Sequence, residues 1–511
     1  MPNRESKIFT AEEAVADIQD GAVIAVNGFI MSGAADELLA ALEKRFLETG
    51  HPRDLTLVLI TSVGDGQGRG ADRLAHEGLI SRIISSHYSF LPRIQKLILD
   101  EKLEAYDFPQ GVMSQLLRDR ASGNPLTVTP LGLGTFVDPR LDGGRLNSRT
   151  TESLNKIYMV DGSPYIRYKS LPPIDFAFVR GSYADGDGNV AMRREGAMVD
   201  AFVMSQAARN SGGKVLCQVA ETVSHIPAPD VRLPSIMTDR IIPVSDMKYH
   251  MQSAETIYNP AYSGEIPASE RQYEPVTNPE RRIILNRCLK ELIPGAVINL
   301  GIGMPEGIAA LAAEKNLDDY TLTVDVGIIG GTPAGGRDFG STVNPSAILF
   351  HSEILDFFHG GGLDQAFLGL AEADSEGNVN VSRFKGRITG IGGFVDLTQS
   401  ARNVYLIGTF TAKGLKTAFR DGKLQIVQEG TVRKFRREVE QRTFSAARAL
   451  ELHQNVMFIT ERAVFRLSGD GLVLTEIAPG LDPEKDIFPQ MEFRPQVASD
   501  LREMDQDLFM T

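Results

Sequence analysis

Asp20-Gly21-Ala22-Val23-Ile24-Ala25-Val26-Asn27-Gly28 has a counterpart in the second half of the chain, Pro294-Gly295-Ala296-Val297-Ile298-Asn299-Leu300-Gly301. Each is an apolar strand running into a glycine turn, and each follows a helical pattern. The first helix opens with Thr10 and Glu13 in capping-box spacing and places Ala14, Val15 and Ile18 on one face. The second opens with Asn278-Pro279 and stripes Ile284, Leu285, Cys288, Leu289 and Leu292. Further on, Ile174-Asp175-x-Ala177-Phe178 with Ala184-Asp185-x-x-Gly188-Asn189-Val190 matches Leu363-Asp364-x-Ala366-Phe367 with Ala373-Asp374-x-x-Gly377-Asn378-Val379, at a constant offset of 189 residues. Gln206-Ala207-Ala208-Arg209-Asn210 and Gln399-Ser400-Ala401-Arg402-Asn403 form a third echo. Three matched segments in one order predict an α/β protein of two homologous tandem domains with largely parallel sheets.

Residues 253–277 carry Asn-Pro, Ser-Gly, Ile-Pro and Glu-Pro pairs with mixed charge and little periodicity, which reads as a linker between domains at 1–252 and 278–511. At 511 residues, 42% hydrophobic and 23% charged, the chain has the balance of a soluble globular protein with several cores. A net charge of −13 argues against nucleic acid as a partner. Two cysteines are too few for a disulfide framework, the start of the chain lacks the apolar stretch of a signal peptide, and no run suits a membrane span. These features suggest a cytoplasmic protein with no membrane role. The eight histidines show no metal-ligand spacing, so no metal is expected.

In Thr321-Leu322-Thr323-Val324-Asp325-Val326-Gly327-Ile328-Ile329-Gly330-Gly331, a half-buried strand ends on one carboxylate and a glycine turn follows. Such an aspartate can be a nucleophile, a base, a ligand or a cap. In parallel α/β sheets ligands bind at the carboxyl ends of strands, where Asp325 sits. Gly301-Ile302-Gly303-Met304-Pro305 joins a strand to an Ala/Leu-rich helix, either as a plain turn or as amides for a phosphate. It is neither a Rossmann fingerprint nor a P-loop. Asp185-Gly186-Asp187-Gly188-Asn189 resembles the start of a calcium loop but lacks its later glycine and glutamate, so a hairpin turn is expected. Gly390-Ile391-Gly392-Gly393 is either a turn or a source of donors for an oxyanion. The run Arg433-Lys434-Phe435-Arg436-Arg437 reads as a solvated face.

Together these segments resemble the family I coenzyme A transferases, in particular the fused single-chain acetate/propionate (3-oxoacid) type, in which an α-like half precedes a β-like half. The specific markers are Val26-Asn27-Gly28-Phe29, Gly134-Thr-Phe-Val-Asp-Pro-Arg140, residues 301–305, Gly330-Gly-Thr-Pro-Ala-Gly-Gly336, Gly360-Gly-Gly-Leu-Asp364, Thr460-Glu-Arg-Ala-Val464 and Glu476-Ile-Ala-Pro-Gly480. The resemblance implies that Asp325 attacks an acyl-CoA thioester and passes through an acyl anhydride and an enzyme–CoA thioester. It implies that Gly301, Ile302, Gly303, Met304, Pro305, Gly392, Gly393 and Lys413 meet CoA. The acyl pocket and oxyanion contacts fall to Asn27, Gly28, Phe29 and Gln110. The implied partners are an acyl-CoA and a small carboxylic acid, with CoA as substrate and no cofactor, on a homo-oligomer (dimer or tetramer).

One departure matters. The family has glutamate where this chain has Asp325, and the lost methylene draws the carboxylate back by roughly 1.3–1.5 Å, on a scale where about 1 Å costs on the order of a hundredfold. Either the following turn, with Val326, Ile328 and Ile329, has moved and Asp325 remains a nucleophile, or a water fills the gap and Asp325 is the general base of an acyl-CoA hydrolase. A binding protein without catalysis is a third reading.

Overall fold

The computed structural model describes residues 7–268, 273, 275–384 and 386–510. The first half is built on a parallel sheet of β1 (Val23–Val26), β2 (Leu55–Leu59), β3 (Ile80–Ser85), β4 (Glu104–Asp107), β5 (Phe176–Asp185), β6 (Lys214–Val223) and β7 (Arg240–Pro243). Their spatial order is β7-β6-β5-β1-β2-β3-β4. The second half holds β8 (Ala296–Leu300), β9 (Tyr320–Val324), β10 (Ile328–Ile329), β11 (Gln365–Gly369), β12 (Asn403–Ile407) and β13 (Asn455–Ile459). Here β9-β8-β11-β12-β13 run parallel, and an antiparallel extension continues through Ala463–Ser468 and Gly471–Ile477. The neighbours β6-β5-β1-β2 and β12-β11-β8-β9 are therefore the same arrangement built twice.

Side chains repeat with the strands. Asp175 accepts the Val23 amide at 2.8 Å, and Asp364 accepts the Val297 amide at 3.0 Å, each tying the start of one strand to its neighbour. Asp185 receives the amides of Asp187 and Asn189, and Asp374 those of Glu376 and Asn378, so both acidic turns are the hairpins expected from sequence. The Thr10–Glu13 capping box forms, and Asn278 caps Pro279–Leu289 through the Arg281 amide at 2.8 Å. Residues 253–277 are not wholly free: Glu255 N–H donates to Asp338 at 3.0 Å, Thr256 Oγ1 at 2.6 Å, and Ser253 Oγ joins them.

Five helices bear on the site between the halves: α1 (Gln110–Ser122), α2 (Ala201–Asn210), α3 (Gly307–Glu314), α4 (His351–Phe357) and α5 (Phe394–Ser400). The second sheet is buried on both faces, by a cluster around Ile284, Leu311 and Phe367 and another around Leu355, Leu397 and Phe465. The first-half core reaches across the boundary and takes in Val324, Val326, Ile328, Phe339, Ile388, Ile391 and Val395. No helix among the described residues is long and apolar enough to cross a membrane.

Candidate active site

The carboxyl ends of the two sheets face each other across a cavity of about 420 Å³. Phe29 and Ile30 follow β1, Ser62 follows β2, His87, Ser89 and Phe90 follow β3, and Gln110 follows β4. From the other half, Gly301, Ile302 and Met304 follow β8, Asp325 follows β9, Leu370 and Ala371 follow β11, and Gly408 follows β12. A surface groove of about 700 Å³, lined by Lys96, Arg337 and Arg387 among others, shares Ser89 and Phe90 with this cavity.

Asp325 occupies a three-residue turn. Val324 pairs with Ile328 and Thr323 with Ile329, so the chain doubles back at once after the carboxylate. Gly327 sits at φ 106°, and a Cβ there would stand 2.3 Å from the Leu349 carbonyl, so both conformation and space require glycine. Val326 is fully buried in the first-half core, which anchors the turn from the far side.

The carboxylate is held by groups from both halves. Gln110 Nε2 lies 3.3 Å from Asp325 Oδ2 and 2.6 Å from His351 Nε2. His351 Nδ1 lies 2.6 Å from Asp200 Oδ2, and Asp200 Oδ1 accepts from Ser114 Oγ at 2.8 Å. On its other flank Asp325 abuts Gly393, where a Cβ would stand 2.3 Å from Oδ2. Asp396 accepts the Gly111 amide at 3.1 Å and lies 2.9 Å from His359 Nε2. The starts of α1, α4 and α5 supply Gln110, His351 and Gly393 to this cluster, and the residue before α2 supplies Asp200. Burial pushes the Asp325 pKa up and Asp396 adds to the rise, while His351 and the Gln110 hydrogen bond oppose it; the net shift is upward. Burial pushes His87 down to about 4 and Lys434 down to about 8.

Gly301, Ile302, Met304, Gly392, Gly393, Phe29, Gln110 and Asp325 line the one cavity. The other residues named from sequence stand elsewhere. Gly303 and Pro305 are outside the lining, and the Gly303 amide is already taken by Glu306 Oε1 at 2.7 Å, so this turn closes on its own carboxylate. Asn27 is buried and turned away, its Oδ1 accepting the Asp200 amide at 3.0 Å, and Gly28 lies beneath the lining with its carbonyl on Thr61 Oγ1. Lys413 is exposed in a turn at φ 61°, apart from the cavity. The Gly392 amide donates to Ser86 O at 2.6 Å and is not free for an oxyanion. The basic run is not a solvated face throughout: Phe435 is fully buried, and Lys434 lines the cavity with Nζ donating to Leu370 O at 3.0 Å. No motif pointed to Asp200 and His351, which meet across 151 residues.

The family model for coenzyme A transferase matches residues 8–243. An acetate CoA-transferase, YdiF, of Escherichia coli (strain K12) is 40% identical over 99% of this chain and 96% of its own length. The chain belongs to the coenzyme A transferase family and is an enzyme of the CoA-transferring class. A caffeate CoA-transferase of Acetobacterium woodii is 39% identical over 99% of this chain and 97% of that protein. The crystal structure of the E. coli O157:H7 acyl-CoA transferase YdiF as a thioester complex with CoA superposes with a TM-score of 0.91 at 40% identity, covering 99% of this chain and 96% of that one. The same protein's apoenzyme gives 0.93.

Proposed function

We propose that this chain moves CoA from an acyl-CoA to a free carboxylic acid by a ping-pong route through Asp325. An Asp325 oxygen adds to the thioester carbonyl, the C–S bond breaks, and CoA leaves as thiolate while an acyl anhydride forms. The thiolate attacks the Asp325 carbonyl carbon, releasing the donor acid and leaving an aspartyl–CoA thioester. The acceptor carboxylate attacks that thioester to give a second anhydride and free thiolate. The thiolate takes the new acyl group and Asp325 returns as carboxylate. The observation that carries this reading is the placement of Asp325: a strand-end carboxylate on the cavity wall, gripped by Gln110 from the opposite half and pressed against Gly393. A related protein's structure is described as a thioester complex with CoA, which supports the same intermediate here.

The pantetheine arm lies along Gly301, Ile302 and Met304 with its thiol end toward Gly393, and the acyl group meets Phe29, Ile30, Phe90 and Phe339. CoA is a substrate in this scheme and no separate cofactor is needed. Relatives are named for acetate and for caffeate, so assays should include both short and aryl monocarboxylic acids.

Borohydride added after acyl-CoA should reduce a thioester at Asp325 and change the mass of that peptide, and turnover past one equivalent should require acceptor acid. Asp325→Glu should slow the reaction, because the longer side chain has Gly393 against it. Sustained CoA release without acceptor, with no adduct, would establish the general-base hydrolase instead.

A further inference from the structure

Among the described residues Gln110 bridges Asp325 to the buried pair His351–Asp200, and its amide meets two different atoms with one nitrogen. An amide NH2 carries two hydrogens and no accessible lone pair, so at 2.6 Å the His351 Nε2 must be the acceptor. The imidazole proton then sits on Nδ1 and donates to Asp200 Oδ2. Asp200 is fixed in turn by Ser114 Oγ and by its own amide on Asn27 Oδ1, and the His351 amide donates to Val199 O at 2.9 Å. Both side chains of the pair are fully buried.

A proton added to His351 would occupy Nε2 and face the Gln110 amide hydrogens. The amide relieves this only by turning over, which brings its carbonyl oxygen to the place 3.3 Å from Asp325 Oδ2. The nucleophile then faces an acceptor where it had a donor. Resting on the reading of Asp325 as nucleophile, we infer that His351 and Asp200 are positioning residues whose proton location decides which end of Gln110 faces Asp325. With His351 neutral, Gln110 presents its N–H and keeps the carboxylate aimed; with His351 cationic, Gln110 presents its oxygen and the site is turned off.

The charged and titratable groups around His351 are Asp200 before α2, Asp325 after β9, Asp396 on α5 with His359 against it, and Glu353 on its own helix, capping Phe350 N–H. Burial alone would lower the imidazole pKa, but the carboxylates of Asp200, Asp325 and Asp396 outweigh it and raise it above the ordinary value. A raised histidine pKa means the neutral, aimed form is complete only above that pKa and is lost as pH falls. The Asp325 pKa is also raised, so two ionisations lie on the acid side.

The test is the pH profile of kcat/KM for acyl-CoA in the full-length enzyme, paired with borohydride trapping. Wild type should show an acid limb whose logarithmic slope approaches two. His351→Gln offers Gln110 an acceptor that does not titrate, so it should keep alkaline activity within about tenfold and show a slope of one. His351→Leu removes the acceptor and should lose on the order of a hundredfold at every pH, with melting curves to confirm folding. A purely structural histidine would leave the slope identical in wild type and His351→Gln, and that result overturns the inference. If the adduct forms at Asp325 while the slopes agree, this inference alone is wrong. If no adduct forms in wild type, the nucleophile reading beneath it is wrong.

Discussion

Gly393→Ala isolates the contact of Gly393 with the nucleophile's Oδ2, the oxygen that Gln110 also touches. Residue 393 has φ −82° and ψ 0°, a conformation open to alanine, so the backbone carries no penalty. The new Cβ would stand 2.3 Å from Asp325 Oδ2 and 3.3 Å from its Cγ. Ordinary contact needs about 1 Å more, and the carboxylate, as the tip of a side chain, yields before the fold does. Its retreat breaks the 3.3 Å contact with Gln110 or swings the attacking oxygen off line. A displacement of about 1 Å is worth on the order of a hundredfold, or about 2.7 kcal/mol of activation free energy. Replacing an N-cap glycine by alanine adds at most about 1 kcal/mol of instability. Steady-state kcat/KM for acyl-CoA, with a melting curve alongside, separates the two: activity should fall about a hundredfold while the midpoint shifts by only a few degrees. Retention of activity within threefold in a folded variant would refute the idea that Gly393 sets the position of the carboxylate.

Two further outcomes rest on buried titratable groups. Asp107 is fully buried at the end of β4, with Oδ1 3.4 Å from the Ile391 amide and Oδ2 without a partner among the described residues, and burial drives its pKa well up. The folded chain thus holds a proton that the unfolded chain releases above about pH 3.9, so stability falls as pH rises, by at most about 1.4 kcal/mol per unit; Asp107→Asn should gain in melting temperature over wild type from pH 5 to 7, and a pH-independent difference would count against this. Lys434→Met should raise the KM for acyl-CoA with little change in kcat; in wild type KM should climb as pH passes about 8, where the Lys434 charge is lost, and the variant should show no such step.

The duplicated architecture was legible because strand starts and acidic turns are local: Asp175 and Asp364 each hold the neighbouring strand by one hydrogen bond, and such contacts impose fixed spacing. Asp325 was legible for the same reason, as a strand end before a glycine that must be glycine. Side-chain direction was not. Asn27 follows its strand as expected, but its side-chain oxygen is spent accepting the Asp200 amide, and the Gly303 amide is spent on Glu306 three residues ahead. Lys434 lies among the cationic residues of a basic run, and only the fold shows that it and Phe435 turn inward. The pair His351–Asp200 exists because two helix starts from opposite halves meet, which no spacing encodes.

Val326 and its neighbours give the reactive turn an unusual dependence, because the interior that immobilises it belongs to the other half of the polypeptide. Inactivation should therefore precede unfolding: mild urea that only loosens the seam releases the turn while each sheet keeps its own interior. Gene fission between the halves is tolerable only where the products reassociate tightly, since neither fragment alone holds a competent nucleophile. Fusion into one chain removes that requirement by keeping the two interiors permanently at high local concentration.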